Sequence, residues 1–346
     1  MSTTIDQQVR AGASEAFAVA CIERLYGRRV AIERLPGEYD DNFIAQEPDG
    51  GRFVFKLMHP LREQALVDLQ VQALGHVRRA APGLIVPEVM LTLAGQPFTP
   101  VEDEAGRTRL AWMLRYLEGT PWERTSPQDR TLRESLGDYV GRLDAALSSF
   151  SHPAAHRDLK WDSSRTGWIA PHIGDIRDPA RRATAERCLR LFESAVLPVL
   201  GSVRHSVIHA DANECNTLTR TAPGEMPRVV AVIDYGDLHH GITLSGLAIA
   251  AAYAAFGTGD PLEAVADVLG GYHRVFPVPA GELPLLHPLV TSRLCVSVVN
   301  SAMRAKLLPD DPYATISEAP AWQVLEALMA VTPDRALARF RLACGG

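Results

Sequence analysis

His209-Ala210-Asp211-Ala212-Asn213-Glu214-Cys215-Asn216 follows a short apolar run, Ser206-Val207-Ile208. A second apolar run, Val229 to Ile233, ends at Asp234-Tyr235-Gly236-Asp237. Both runs read as strands, since apolar and β-branched residues crowd into a few positions bounded by polar ones. Two strands joined by a turn would bring Asp211, Asn216 and Asp234 to one end of a hairpin.

Phosphoryl transfer needs such a set. One carboxylate accepts or orients the proton of the attacking hydroxyl. A second carboxylate and an amide oxygen hold Mg²⁺, which prefers hard oxygen ligands. The metal then offsets charge on the phosphates.

Outward from this island the chain changes style. Toward the C-terminus, residues 260–276, 284–308 and 318–330 read as helices, as do Leu132–Phe150 and Arg181–Leu200 before it. Further upstream the pattern is richer in strands. Ser14 caps a helix that ends at Gly27, with Phe17, Cys21 and Leu25 as its apolar stripe and Ala18 and Ile22 beside it. Val30 to Glu33 alternates, as does Asn42 to Gln46 beyond a turn at 35–41. Glu47-Pro48-Asp49-Gly50-Gly51 signals a hairpin into Arg52–Met58, where Phe53, Phe55 and Leu57 share one face. Arg62–Arg79 reads as a helix with Val67, Val71 and Leu74 in its stripe and Gln70 among them. Residues 84–93, 97–101 and 109–117 read as strands. Trp112 and Trp122 are expected in the core. The composition shifts near 117–120, so the expected division is 1–117, a sheet-rich lobe, and 118–346, a helical lobe.

The D-x-x-x-x-N spacing of Asp211 and Asn216, with I-D-Y-G-D at 233–237, resembles aminoglycoside phosphotransferases and choline or homoserine kinases. The wording is nearer still to hydroxylysine-kinase-like members. These have an H-x-D-A-N-x-x-N loop, an I-D-[FY]-G-D segment, and then a small apolar helix similar to Leu247–Tyr253. G-E-Y-D-D-N-F at 37–43 is similar to that group's phosphate loop. The likeness runs from about residue 28 to 260.

The resemblance implies a bilobal, protein-kinase-like α+β fold and transfer of the γ-phosphoryl of ATP or GTP to a hydroxyl. Asp211 would be the catalytic base, and Asn216 and Asp234 would bind Mg²⁺. Lys56 would contact the α- and β-phosphates, under a loop of Tyr39, Asp40, Asp41 and Asn42. The main chain of Arg115 and Leu117 would meet the purine. His209 would brace the catalytic loop. Kinase-like proteins usually pair the lysine with a glutamate on the next helix; the register places Gln70 there, polar but neutral. Asp237, Glu214, Asp40 and Asp41 could attract the ammonium group of a small acceptor such as a hydroxylated amino acid or amino alcohol. An aminoglycoside, also a polycationic polyol, is the first alternative. A nucleotide-binding protein that regulates a partner without catalysis is another.

Bulk properties narrow the classes. The 346 residues suit one large domain or two moderate ones. With 35 basic and 41 acidic residues the net charge is −6. No long basic run occurs, so nucleic acid and membrane are not expected partners, and a nucleotide needs a local positive site. Cys21, Cys188, Cys215, Cys295 and Cys344 form no C-x-x-C pair, which argues against a disulfide framework and a structural zinc site. The N-terminus lacks a signal-peptide layout. The longest nearly apolar run, Leu244 to Phe256, is too short to span a bilayer. The expected location is the cytoplasm.

Two other constellations compete. His156-Arg157-Asp158-Leu159-Lys160 looks like a protein-kinase catalytic loop, but Ser163 stands where its asparagine should fall. A structural or substrate-side role is expected for it. His205, His209, Asp211, Asp237, His239 and His240 could gather around a transition metal, yet no H-x-H or H-E-x-x-H spacing occurs.

Overall fold

The computed structural model describes residues 12–37, 39–307 and 318–346. Glu38 of the early turn, residue 308 at the expected end of one helix, and residues 1–11 lie outside the described residues. The chain divides into two compact units, Met1–Arg78 with Ile85–Glu118, and Arg79–Leu84 with Gly119–Gly346.

The first unit opens with helix α1 (Glu15–Tyr26). Ser14 Oγ accepts the Phe17 N–H at 3.1 Å, and Gly27 closes the helix at φ 66°, a left-handed cap that suits glycine. The buried face is Ala18, Cys21, Ile22 and Tyr26, whereas Phe17 and Leu25 are only partly buried. The stripe is rotated from the expected line because the Tyr26 ring meets Phe55 edge-on, with centroids 6.4 Å apart.

Strands β1 (Ala31–Leu35), β2 (Asp41–Gln46) and β3 (Arg52–Leu57) form an antiparallel meander. Gly50, at φ 96°, makes the β2–β3 turn. The register sets Phe43 opposite Phe55 and Asn42 opposite Lys56. After helix α2 (Gln64–Ala80) come β4 (Val89–Met90), β5 (Phe98–Glu102) and β6 (Thr108–Arg115). Strand β6 pairs with β3, β4 and β5, all antiparallel. Phe43, Ala45, Phe53, Phe55, Leu57, Ala111 and Met113 bury one sheet face against α1. Each large side chain among them contributes about 1.5–3 kcal/mol through burial. The expected strand over 84–93 shrinks to Val89–Met90. Pro87 offers no N–H to a ladder and restricts Val86 before it.

The second unit holds β7 (Thr120–Pro121), helices α3 (Arg130–Leu147) and α4 (Pro179–Ala195), and strands β8 (His205–Ile208), β9 (Thr217–Arg220), β10 (Arg228–Val232) and β11 (His239–Ile242). Helices α5 (Leu244–Ala254), α6 (Pro261–Val275), α7 (Leu286–Leu307), α8 (Glu318–Met329) and α9 (Pro333–Ala343) follow. Helix α9, capped by Thr332, is absent from the sequence reading, which stops at 330.

Helices α3 and α6 meet main chain to main chain. A Cβ on Gly137 would fall 1.9 Å from Val268 O, and one on Gly271 would fall 2.0 Å from Glu134 O. The stretch Leu283–Lys306 is long and apolar enough to cross a bilayer, but 89% of its most apolar window is buried within the chain. It is a core helix. Trp112 and Trp122 are both core residues, as expected.

Strand pairing differs from the expected hairpin. The runs at 206–208 and 229–233 do not pair with each other. Instead β8 pairs with β11, while β9 pairs with β10 and β7. The polar loop after Ile208 leads directly into β9, which turns back onto β10, so β10 is taken and β8 meets the later strand β11.

Candidate active site

Two residues mark the loops at the strand ends. Ala210 (φ 63°) and Asp234 (φ 61°) are the only non-glycine residues with positive φ among the described residues. Left-handed backbone at such residues costs about 1–2 kcal/mol each and persists where surrounding bonds enforce it. Those bonds are present. Asn213 Oδ1 accepts the N–H groups of Cys215 and Asn216, both at 2.9 Å, and its Nδ2 donates to Asp211 Oδ1 at 3.0 Å. Asn216 Nδ2 donates to Asp211 Oδ2 at 2.7 Å and to Asp211 O at 3.0 Å. Ile233 N–H donates to Asn216 O at 2.8 Å. That bond continues the β9–β10 pairing, in which Thr217 stands opposite Val232, and the pairing sets Asp234 beside Asn216.

His209 is buried. Its Nδ1 accepts the Asp211 N–H at 3.2 Å, and its ring meets Tyr235 edge-on at 4.6 Å. Burial pushes its pKa down to about 4, so the ring is neutral at physiological pH and braces the loop. Burial raises the Asp211 carboxyl well above the usual range, Asp237 and Asp234 add to this, and Arg293 opposes it. Asp237 is also raised by burial, against the pull of Arg157 and Arg293. Burial and the nearby Glu214 and Glu123 push the Cys215 thiol up to about 12, which excludes a thiolate nucleophile there.

Two arginines at this site were not picked out in the sequence. Arg293, in the middle of α7, places Nη2 3.3 Å from Asp211 Oδ1. Its signal was an arginine interrupting an apolar helix, Thr291-Ser292-Arg293-Leu294-Cys295-Val296. Arg157 places Nη2 3.7 Å from Asp237 Oδ1. It belongs to the rejected His156-Arg157-Asp158 segment, which thus lies on the acid cluster. Glu214 offers its carbonyl to the Glu123 N–H at 3.2 Å.

In the first unit Lys56 is 8% exposed, and its Nζ lies 5.8 Å from the Trp112 ring centroid. Asn42 stands opposite it across β2–β3, with a buried Oδ1 that has no hydrogen-bond partner among the described residues. Gln70 is buried as expected, but its Nε2 donates to Leu66 O of its own helix at 3.2 Å.

The loop expected above the phosphates is corrected in part. Asp41 is fully buried; its carboxylate meets Arg109 at 2.9 Å, Arg34 at 2.6 Å and the Ala13 N–H at 3.0 Å. Burial opposes its charge, but these donors hold its pKa below the usual range. A carboxylate sealed in this way cannot also meet a nucleotide. Asp40 accepts the His59 N–H and pairs with Arg62. Both acids are thereby neutralised locally, which removes their repulsion toward a phosphate and leaves Tyr39 and Asn42 from that group. At the connector, the Arg115 N–H is already given to Glu88 O at 2.8 Å. No main-chain hydrogen bond takes the Leu117 N–H among the described residues.

Asn216 and Asp234 suit a divalent cation. The Asn216 amide nitrogen is spent on Asp211, and no hydrogen bond is made to Oδ1 among the described residues. Asp234 is exposed, and its Oδ1 accepts the Gly236 N–H at 3.2 Å. One carboxylate and one amide oxygen fit Mg²⁺, which keeps water and phosphate oxygens as its other ligands. No group of three or more His, Cys, Asp or Glu residues able to hold a metal occurs among the described residues. The histidines pair off instead: His240 meets His156 at 4.5 Å and His205 at 6.0 Å, and His239 faces Asp162.

Comparison with known proteins bears on family and fold. A family model described as a phosphotransferase enzyme family matches residues 31–285. Hydroxylysine kinase of Mus musculus is 28% identical over 337 residues, covering 91% of this chain and 89% of that protein. Hydroxylysine kinase of Xenopus laevis is 28% identical over 335 residues, with the same two shares. A microcompartment-associated aminopropanol kinase matches in structure with a TM-score of 0.71 at 17% identity, over 94% of this chain and 98% of that one. An amicoumacin kinase in complex with AMP-PNP, Ca²⁺ and Ami matches with a TM-score of 0.68 at 15% identity, over 92% and 94%. At such identities the structures show a shared fold.

Proposed function

The chain belongs to the phosphotransferase enzyme family, and from that premise we propose that it moves the γ-phosphoryl of a nucleoside triphosphate to a hydroxyl of a small, amine-bearing molecule. The observation that carries this reading is the bonding of Asp211 to Asn216, with Asp234 tied beside them through Ile233.

In this reading Asp211 receives or orients the proton of the attacking hydroxyl. Asn213 and Asn216 hold the carboxylate, so little reorganisation is needed during transfer. Asn216 Oδ1 and Asp234 would hold Mg²⁺, which when bound neutralises charge developing on the phosphates. Lys56 supplies a compact positive charge to the phosphates. Asn42 and Tyr39 flank them, and the Leu117 main chain meets the base. Asp237 and Glu214 favour an ammonium group on the acceptor. The hydroxylysine kinases that the chain resembles point to a hydroxylated amino acid or amino alcohol. The five free thiols suit a reducing compartment such as the cytoplasm.

The test is a phosphate-transfer screen over hydroxylysine, ethanolamine, choline, homoserine and aminoglycosides, with ATP and with GTP. Asp211→Asn serves as the blank and should lower turnover by about 10³-fold or more while the protein stays folded. Turnover of an aminoglycoside alone would transfer the reading to that acceptor. Nucleotide binding without transfer to any acceptor would favour a regulatory binder.

A further inference from the structure

Arg293 is more than the phosphotransfer chemistry needs. Its side chain is 4% exposed, and it sits in an apolar helix among buried Leu289, Val290, Leu294 and Val296. Burying a guanidinium carries a desolvation cost that only good partners offset. Here the partners are incomplete. Nη2 reaches Asp211 at 3.3 Å, while Nε and Nη1 are buried without hydrogen-bond partners among the described residues. The plane is nevertheless held firmly, with Trp161 and Tyr253 ring centroids 4.5 and 5.4 Å from its central carbon. A rigid, buried, half-satisfied guanidinium beside the group that meets the substrate hydroxyl is suited to a planar anion on that substrate.

We infer that Arg293 binds the carboxylate of the acceptor, so the acceptor is a hydroxylated amino acid and not an amino alcohol or an aminoglycoside. The inference rests on the reading of Asp211 as the group that meets the hydroxyl. It also fits the mixed charge of the cluster, where Asp237 and Arg293 lie close enough to interact, since an amino acid carries both an ammonium group and a carboxylate. Aminoglycosides, choline and ethanolamine carry no carboxylate to complete the bonding of this guanidinium.

The experiment uses matched pairs that differ only in the carboxylate: hydroxylysine against its decarboxylated diamine, and homoserine against aminopropanol. In the unaltered protein, kcat/KM for the better-used amino acid should exceed that of its partner by about 10- to 100-fold, the range of a charge-assisted contact. Arg293→Met should bring that ratio near one, and Arg293→Lys should restore part of it. The ratio cancels any loss that the substitution causes through Asp211 itself. A ratio near one in the unaltered protein, or a ratio that Arg293→Met leaves unchanged, overturns the inference. Failure of all four compounds to be phosphorylated would tell against the reading of the reaction. Calorimetric binding of the same pairs to the unaltered protein still decides the inference: the carboxylate partner binding no tighter than its amine overturns it.

Discussion

Asp211 holds its position through three side chains that lie two, five and 82 residues away along the chain, Asn213, Asn216 and Arg293. The first two are legible in the motif because they are local. The third is not, because no pattern in sequence links a loop to the middle of a helix so far downstream. Lys56 illustrates the same limit: its strand is plain from alternation, but its neighbours Asn42 and Trp112 follow from register. Lys56→Met should lower kcat/KM by about 10²- to 10³-fold, as removal of one preorganised electrostatic contact does; steady-state kinetics at varied nucleotide checks it. Ala210 carries strain at φ 63° and is fully buried. Ala210→Gly should be tolerated. Ala210→Val should destabilise by about 2 kcal/mol or more, combining left-handed strain with overpacking, as read in urea unfolding.

Among elements, type was easier to read than pairing. Alternation at 52–57 and the helical period at 15–26 survive because each describes one element against any apolar neighbour. The choice of strand partner does not follow from that. Val207 and Val229 are equally apolar, and only the folded chain shows that β8 joins β11 while β10 joins β9. Helix contacts add a further layer. Gly137 and Gly271 look like weak points in helices α3 and α6, yet they permit main-chain approach. Gly137→Ala improves local helix propensity by about 1 kcal/mol but forces a Cβ into Val268 O. The net effect should be a loss of about 1–3 kcal/mol, visible as a lower urea midpoint with an unchanged slope.

For the whole molecule, buried charge gives a pH signature. Asp144 is fully buried on α3, accepts the Tyr272 O–H at 2.9 Å, and has its other oxygen unpartnered among the described residues. Burial raises its pKa to about 7. The folded state therefore keeps a proton that the unfolded chain releases near pH 4, so this contribution to stability is complete at low pH. It is lost as pH rises from about 4 to about 7. His209 acts oppositely: its folded pKa of about 4 makes its contribution present at neutral pH and lost on acidification below about 6.5. Asp144→Asn isolates the first effect. Its stability relative to the unaltered protein should grow with pH by up to about 4 kcal/mol over that window. A difference that stays flat between pH 4 and 8 in urea titrations would contradict the assignment.

Local spacing was enough to link Asp211 with Asn216, because the loop that joins these two is short and closes on its own amides. Alternation was enough for the sheet-rich beginning and periodicity for the helical remainder, since both describe how one element buries one face. Tertiary structure alone decided the rest. It tied Asp234 to Asn216 through Ile233, sealed Asp41 among arginines, and brought Arg293 and Arg157 onto the acids. Long-range ion pairs and main-chain contacts leave no period in a sequence. A buried charge is partnered only by what the completed fold brings within reach.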